Sequence, residues 1–535
     1  MTLLRVESLS LNIGAERILD EVTFSLEPGE TLGLVGESGS GKSMTALSIM
    51  RLLPADSTLS GRIALEGEDL LKLRPREMRA HRGRDIGMAF QEPMSALNPL
   101  QTIGGQLAEP FEIHRGLSRR SALAEAGRLM ERVGLEAGGV DAGRYPHELS
   151  GGQRQRAVIA IAMALSPKVL IADEPTTALD AAAQAEIVRL LLSLTQEENC
   201  ALLFITHDLP LIAGLADRIA VISSGRVVEM GRTGEILSAP SHPYTAKLID
   251  AAVHRPPRPV SNKSGQDLLV ASDLVKTYRK GGATRRALDG ITLSIREGEL
   301  VGLVGESGSG KSTLARALLA LETLDAGGIT LGGAPFKVGH DRETRALRRR
   351  IQIVFQDPYG SFDPRLRVWR TVSEPMHLLD PGPNAATRRR AARDILARVG
   401  LDADDCDKYP HEFSGGQRQR IAIARALITR PDIVIFDEAV SSLDVSTRAQ
   451  VLDLLAELSR SMGLAYLFIS HDVGVVRAIA ERILVMKDGK IVDEGPADSL
   501  FETSSHPYTR ALLAATPSLA AALAARGERM ADLVG

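Results

Sequence analysis

A duplicated α/β fold, each copy built on a parallel sheet, is what this sequence predicts, on three observations. The stretch Gly33-Leu34-Val35-Gly36-Glu37-Ser38-Gly39-Ser40-Gly41-Lys42-Ser43 recurs letter for letter from Gly302 to Ser312. Short apolar runs precede each copy, Thr31 to Val35 and Leu300 to Val304, and helical stretches follow, Met44 to Leu53 and Thr313 to Leu321. Further apolar runs alternate with helical periodicity through both halves, the order of strand and crossover helix that builds a parallel sheet.

Each half opens with alternating segments suited to strands, Ile18 to Leu26 and Ala287 to Ile295. A polar, Arg-rich middle follows, with helical spacing from about Arg119 to Val133 and from Ala385 to Val399. Next come the apolar runs Val169 to Ala172 and Ile433 to Phe436, then Ala201 to Ile205 and Ala465 to Ile469. An antiparallel β subdomain at the start and an inserted helical subdomain complete each expected half. Lys42 and Lys311 are offset by 269 positions, while Ser150 and Ser414, Asp173 and Asp437, and His207 and His471 are each offset by 264. That period is far too long for a solenoid, so a whole domain is duplicated. The polar, proline-rich stretch 254–266 reads as a short linker. It divides the chain into residues 1–253, 254–266 and 267–535, each half ending in its own extension.

Composition is that of an ordinary soluble protein, 44% hydrophobic and 24% charged, and 535 residues exceed one compact core. A net charge of −3 gives no global field for nucleic acid. The two cysteines, Cys200 and Cys406, have neither metal-ligand spacing nor the look of a disulfide framework, which suits a reducing cytosol. No signal pattern opens the chain, and no apolar run approaches the roughly 18 to 20 residues of a membrane span. Any membrane role is expected to come through partners.

The repeated stretch contains G-x-x-x-x-G-K-[ST] twice, as Gly36-Glu37-Ser38-Gly39-Ser40-Gly41-Lys42-Ser43 and Gly305-Glu306-Ser307-Gly308-Ser309-Gly310-Lys311-Ser312. Its glycines let backbone N–H groups turn inward around phosphate oxygens, and the following helix presents its positive end to the same anion. Lys42 and Lys311 can reach the β and γ phosphates, and Ser43 and Ser312 can ligate Mg²⁺. Strand-end Asp173 and Asp437 suit the Walker-B carboxylate that holds Mg²⁺ directly or through water. The adjacent Glu174 and Glu438 can orient and deprotonate an attacking water, a role worth about 10²- to 10⁴-fold in rate. His207 and His471 each lie 33 positions beyond their glutamate and can contact a γ-phosphate. Gln91 and Gln356 follow apolar segments and can contact Mg²⁺ or water in a nucleotide-dependent way. Finally, Ser150-Gly151-Gly152-Gln153 and Ser414-Gly415-Gly416-Gln417 begin helices, making a second anion-binding end in each half. A P-loop domain has one phosphate cradle already, so a second needs a phosphate from elsewhere, and the duplication supplies it.

With these motifs the chain resembles the ABC (ATP-binding cassette) ATPases over nearly its whole length, Leu149 to Gln153 and Phe413 to Gln417 standing as the family signature. The resemblance implies two head-to-tail ATP sites, Lys42 completed by Ser414, Gly415 and Gly416, and Lys311 by Ser150, Gly151 and Gly152. Ala178-Leu179-Asp180 and Ser442-Leu443-Asp444 resemble the D-loops that couple such sites. Phe90-Gln91-Glu92-Pro93 and Phe355-Gln356-Asp357-Pro358, with His242-Pro243-Tyr244-Thr245 and His506-Pro507-Tyr508-Thr509, are similar to the dipeptide, oligopeptide and nickel importers. Some of that group are tandem fusions, as in the glutathione and Yej-type microcin C and peptide importers. The resemblance implies two permease subunits, a periplasmic or extracellular substrate-binding protein, no nucleic acid, and a peripheral place on the cytoplasmic face of the inner membrane. It also places Tyr278 on the adenine, where the first half has Ile13, so two competent sites of unequal affinity are expected. Some relatives carry an iron–sulfur cluster in the extension; neither cysteine here lies there, so none is expected. Two other readings stand beside the importer: a soluble tandem ATPase acting on ribosomes or DNA, and an exporter cassette. The first lacks a long charged linker or zinc-binding cysteines, and the second is weakened by the His-Pro-Tyr-Thr segments.

Overall fold

The structure, a computed structural model, describes residues 2–177, 179–257, 265–280, 283–358, 360–379, 381–441 and 443–526. Part of the expected linker, and Ala178 and Ser442 of the expected D-loops, therefore lie outside the described residues.

In the first half, β1 (Leu4–Ile13) and β2 (Glu16–Leu26) form an antiparallel hairpin that precedes β3 (Thr31–Val35). Then come β4 (Ser57–Leu65), β5 (Glu68–Asp69), β6 (Ile86–Ala89), β7 (Val169–Asp173), β8 (Ala201–Thr206), β9 (Arg218–Ser223) and β10 (Arg226–Arg232). They make two sheets, an antiparallel one in the order β2-β1-β4-β5 and a six-stranded one in the order β10-β9-β3-β8-β7-β6. The second sheet is parallel except at β10. Successive residues of its strands serve opposite faces. Val169, Ile171, Leu203 and Ile205 join the core shared with the antiparallel sheet, while Leu170, Ala172, Leu202 and Phe204 join the core beneath the helices. Burial on both faces explains why these runs are continuously apolar rather than alternating.

The second half repeats this plan. Its strands are β11 (Asp267–Lys280), β12 (Ala283–Arg296), β13 (Leu300–Val304), β14 (Ala326–Leu331), β15 (Ala334–Pro335), β16 (Ile351–Val354), β17 (Ile433–Asp437), β18 (Ala465–Ser470), β19 (Arg482–Lys487) and β20 (Lys490–Pro496). The sheet orders are β12-β11-β14-β15 and β16-β17-β18-β13-β19-β20. The expected α/β class, antiparallel subdomain and inserted helices are all present. Arg119–Arg132 and Ala385–Arg398 are helices, capped by Ser118 and Asn384, whose side chains accept from the N–H of Ser121 and Thr387. The early strands run longer than their apolar pattern suggested, because hairpin pairing carries Arg17, Arg285 and other polar residues into the ladder.

The halves clasp each other through their extensions. The helix Pro243–Val253 packs on Val445–Met462, where His254 Nε2 lies 2.7 Å from Asp453 Oδ1. Reciprocally, Pro507–Ala515 packs on Ala181–Glu197. The last helix, Leu519–Ala525, crosses over altogether: Leu519 and Leu523 are buried in the helix-side core of the first half. Beyond it, the Arg526 guanidinium donates to the carbonyls of Ala213 (2.8 Å) and Ala216 (2.6 Å), at the C-terminal end of the helix Leu209–Leu215. A cation there meets the negative end of the helix.

Candidate functional site

Each phosphate loop leaves the C-terminal end of a central strand, β3 or β13, and enters the helix Lys42–Met50 or Lys311–Leu318. Gly41 and Gly310 make that turn at φ of 106° and 113°, and a Cβ at Gly310 would meet the Ala287 carbonyl at 2.3 Å. Only glycine fits there. Both lysines are buried, with Nζ 2.8 Å from the carbonyls of Gly36 and Glu37 in one half. In the other, Nζ lies 2.7 Å and 2.8 Å from those of Gly305 and Glu306. Burial lowers both lysine pKa values against the pull of the neighbouring carboxylates. A buried ammonium bonded to carbonyls, with carboxylates near it but none hydrogen-bonded to it among the described residues, is a ready partner for an anion.

The strand-end acids arrive beside it. Ser43 Oγ donates to Asp173 Oδ1 at 3.1 Å, and Ser312 Oγ to Asp437 at 3.4 Å. Burial pushes Asp173 up to about 6, Ser43 and Lys42 opposing and the charge of Glu174 adding; Asp437 is raised in the same direction. Glu174 moves the other way. Burial would raise it, but hydrogen bonding and charge from His207, the charge of Lys42 and a bond from Thr177 hold it at about 2. Adjacent carboxylates pushed apart in this manner are suited to different tasks. Asp173, desolvated without a full counter-charge, fits a cation. No cluster of three or more His, Cys, Asp or Glu side chains fit to hold a metal occurs among the described residues, so Ser43, Asp173 and Gln91 would leave most of an Mg²⁺ shell to phosphate and water.

Glu174 is gripped on both oxygens. His207 Nδ1 lies 3.1 Å from Oε1, while Gln91 Nε2 (3.0 Å) and Thr177 Oγ1 (2.9 Å) donate to Oε2. Glu438 has Gln356 Nε2 at 2.9 Å and His471 Nδ1 at 3.5 Å, but Ser441, in the place of Thr177, turns its hydroxyl to the Glu438 carbonyl. The pattern of motifs thus converges on one carboxylate per half, with each glutamine on the glutamate itself. Sequence reading missed the backbone here: Glu174 and Glu438 sit at φ of 45° and 51°. Each N–H donates at 2.9 Å to the neighbouring strand, at Ile205 or Ile469, which holds the strained turn.

The signature segments are preorganised. Ser150 Oγ accepts from Gln153 N–H at 3.3 Å while Gln153 Oε1 accepts from Ser150 N–H at 3.0 Å, and Ser414 with Gln417 repeats the box. Ser150, Gly151, Ser414 and Gly415 are exposed. The cleft of about 370 Å³ at the second loop is walled by Tyr278, Lys311, Ser312, Gln356, Glu438 and His471, with Asp180 arriving from the first half. Ser150 and Gly151 are not among its walls. The D-loop does make contact: Asp180 Oδ2 accepts from Ser307 N–H at 3.0 Å. On the other side, the charge of Asp444 reaches Lys42.

Residues 19–177 and 288–441 match the family described as ABC transporter, more than half of the chain. The chain belongs to that family. It is accordingly an ATP-binding protein with two cassettes and an ATPase coupled to transport. Residues 228–267 and 492–533 match the oligopeptide/dipeptide transporter C-terminal region. Among similar curated proteins, "Uncharacterized ABC transporter ATP-binding protein YejF" of Escherichia coli is 45% identical over 96% of this chain and 99% of its own length. "Peptidoglycan transport ATP-binding protein YejF" of Agrobacterium fabrum is also 45% identical, over 96% of each chain. "Glutathione import ATP-binding protein GsiA" of Salmonella typhimurium is 45% identical over 93% of this chain and 86% of its own. These names favour neither a ribosome- or DNA-acting ATPase nor an exporter. No helix among the described residues is long and apolar enough to cross a membrane.

Proposed function

We propose that this chain is the energy-coupling ATPase of an importer for peptides or a related small solute such as glutathione, with both cassettes on one chain. It works at the cytoplasmic face of the inner membrane, against two permease subunits fed by an external binding protein. The importer names of its relatives and the matched C-terminal regions support this. The geometric observation that carries the two-site mechanism is the reach of Asp180 into the second phosphate loop.

Each ATP would lie with its β and γ phosphates on Lys42 or Lys311. Mg²⁺, when bound between Ser43 and Asp173 or Ser312 and Asp437, would neutralise phosphate charge. Drawing the halves together from the D-loop contact would bring Ser414, Gly415 and Gly416 onto the first nucleotide, and Ser150, Gly151 and Gly152 onto the second. Closure excludes water and strengthens every donor aimed at the γ-phosphate. Glu174 and Glu438 then orient the attacking water and accept its proton. His207 and His471, now spent on those glutamates, have the γ-phosphate as their alternative partner. Gln91 and Gln356 lie on the same carboxylates and on the segments leading to the helical subdomains, so their release would carry the nucleotide state outward. Reconstitution with the candidate permeases in liposomes tests the reading. Peptide added with its binding protein should stimulate ATP hydrolysis and accumulate inside; hydrolysis indifferent to every such solute would reject it.

A further inference from the structure

The His-Pro-Tyr-Thr segments play no part in the ATPase account, yet the histidine, proline and tyrosine have matching places in both halves, and Thr509 has one in the second. His242 and His506 cap the extension helices, their Nδ1 accepting from the N–H of Tyr244 (3.1 Å) and Tyr508 (3.3 Å). Pro243 and Pro507 start those helices with the φ they require. Thr509 Oγ1 donates to Asp493 on β20 at 2.6 Å. The tyrosine is left, and it reaches the phosphate loop. Tyr244 Oη accepts from Glu37 N–H at 3.1 Å, and Tyr508 Oη from Glu306 N–H at 2.9 Å.

The same bond thus forms twice, between segments more than 200 residues apart, in unequal surroundings. Lys487 Nζ stands 4.7 Å from the Tyr508 ring, where β9 of the first half has Ser223 beside the Tyr244 hydroxyl. In the second half the next amide is taken as well: Ser307 N–H goes to Asp180 Oδ2 of the first half. Asp180 caps the helix Ala181–Glu197, and that helix packs on Pro507–Ala515, which carries Tyr508. Adjacent amides of one loop are therefore held from two sides of a single packed helix pair.

We propose that Tyr244 and Tyr508 are positioning residues for nucleotide binding, each hydroxyl fixing the first turn of its phosphate loop from the C-terminal extension. Tyr508 also registers that loop against the D-loop of the opposite half. Neither tyrosine touches the reacting atoms, and an amide engaged outward is not spent on phosphate. Losing the bond should weaken the seat for ATP and its transition state alike, which raises KM and leaves kcat. The proposal rests on the assignment of ATP to Lys42 and Lys311.

The test is photolabelling of the full-length protein with 8-azido-ATP, mapped by peptide to each half, in wild type, Tyr244→Phe and Tyr508→Phe. At subsaturating nucleotide, Tyr508→Phe should reduce labelling of the second half about two- to tenfold, the range spanned by one neutral hydrogen bond. Labelling of the first half, turnover at saturating ATP and the melting temperature should stay as in wild type. Tyr244→Phe should give the mirror image. Unchanged labelling in both variants would overturn the proposal. So would equal losses in both halves with a lower melting temperature, which mark a general structural role. A wild type that labels in neither half would instead remove the ATP assignment beneath it.

Discussion

Asp173 is held in a place that suits its function and costs stability. It is 4% exposed, and burial lifts its pKa from an ordinary 3.8 to about 6. A rise of about two pH units, at roughly 1.4 kcal/mol each, means that keeping it ionised in the folded protein costs about 3 kcal/mol. The folded state binds its proton more tightly than the unfolded state. The penalty is therefore complete above pH of about 6 and disappears below 3.8, the reverse of a salt-bridged carboxylate. Asp173→Asn keeps an oxygen for Ser43 and removes the charge. At pH 8 the nucleotide-free variant should be more stable by about 1 to 3 kcal/mol, raising the melting temperature by several degrees. At pH 4.5, between the two pKa values, only about a third of that gain should remain. Added Mg²⁺-ATP should raise the wild-type melting temperature more than ATP with chelator does, and should not do so in the variant. Differential scanning fluorimetry across pH reads all of this. A variant no more stable than wild type at pH 8, or a gain indifferent to pH, would refute the reasoning.

Three further outcomes are expected. Replacing both Glu174 and Glu438 by Gln should leave ATP binding intact and cut steady-state phosphate release about 10²- to 10⁴-fold, measured by a coupled phosphate assay. Lys311→Met removes the ammonium resting on Gly305 and Glu306, so nucleotide labelling of the second half should be lost with the first half still labelled. Leu523→Ala opens a cavity in the core of the first half although the residue belongs to the end of the chain. Hydrogen exchange should show the helix Leu209–Leu215 losing about 2 to 5 kcal/mol of protection.

Local pattern explains what could be read in advance. The duplicated loop, the continuously apolar strands and the capped helices are each written within a few consecutive residues, and Arg119–Arg132 and Ala385–Arg398 fall almost where their periodicity puts them. The strand-end place of Glu174, the 33-residue spacing of His207 from it and the apolar segment before Gln91 also made all three candidates. Contacts across the chain were not legible. Nothing near Tyr244 signals that its hydroxyl will meet Glu37, because a bond spanning 207 positions leaves no periodicity. The run Leu519–Ala525 contains only leucine and alanine, and only packing reveals that Leu519 and Leu523 complete the core of the first half. The left-handed φ of Glu174 and Glu438 is equally silent, since glutamate carries no mark of a backbone conformation it rarely adopts.

The whole account turns on each ATP being clasped between one cassette's lysine loop and the other's signature serine. A structure of the chain with both Glu174 and Glu438 changed to Gln, bound to its permease subunits and loaded with Mg²⁺-ATP, measures this directly. The γ-phosphate on Lys311 should lie within hydrogen-bond distance of Ser150, and that on Lys42 within the same distance of Ser414. ATP seated on either lysine while the opposing serine still faces solvent would contradict it.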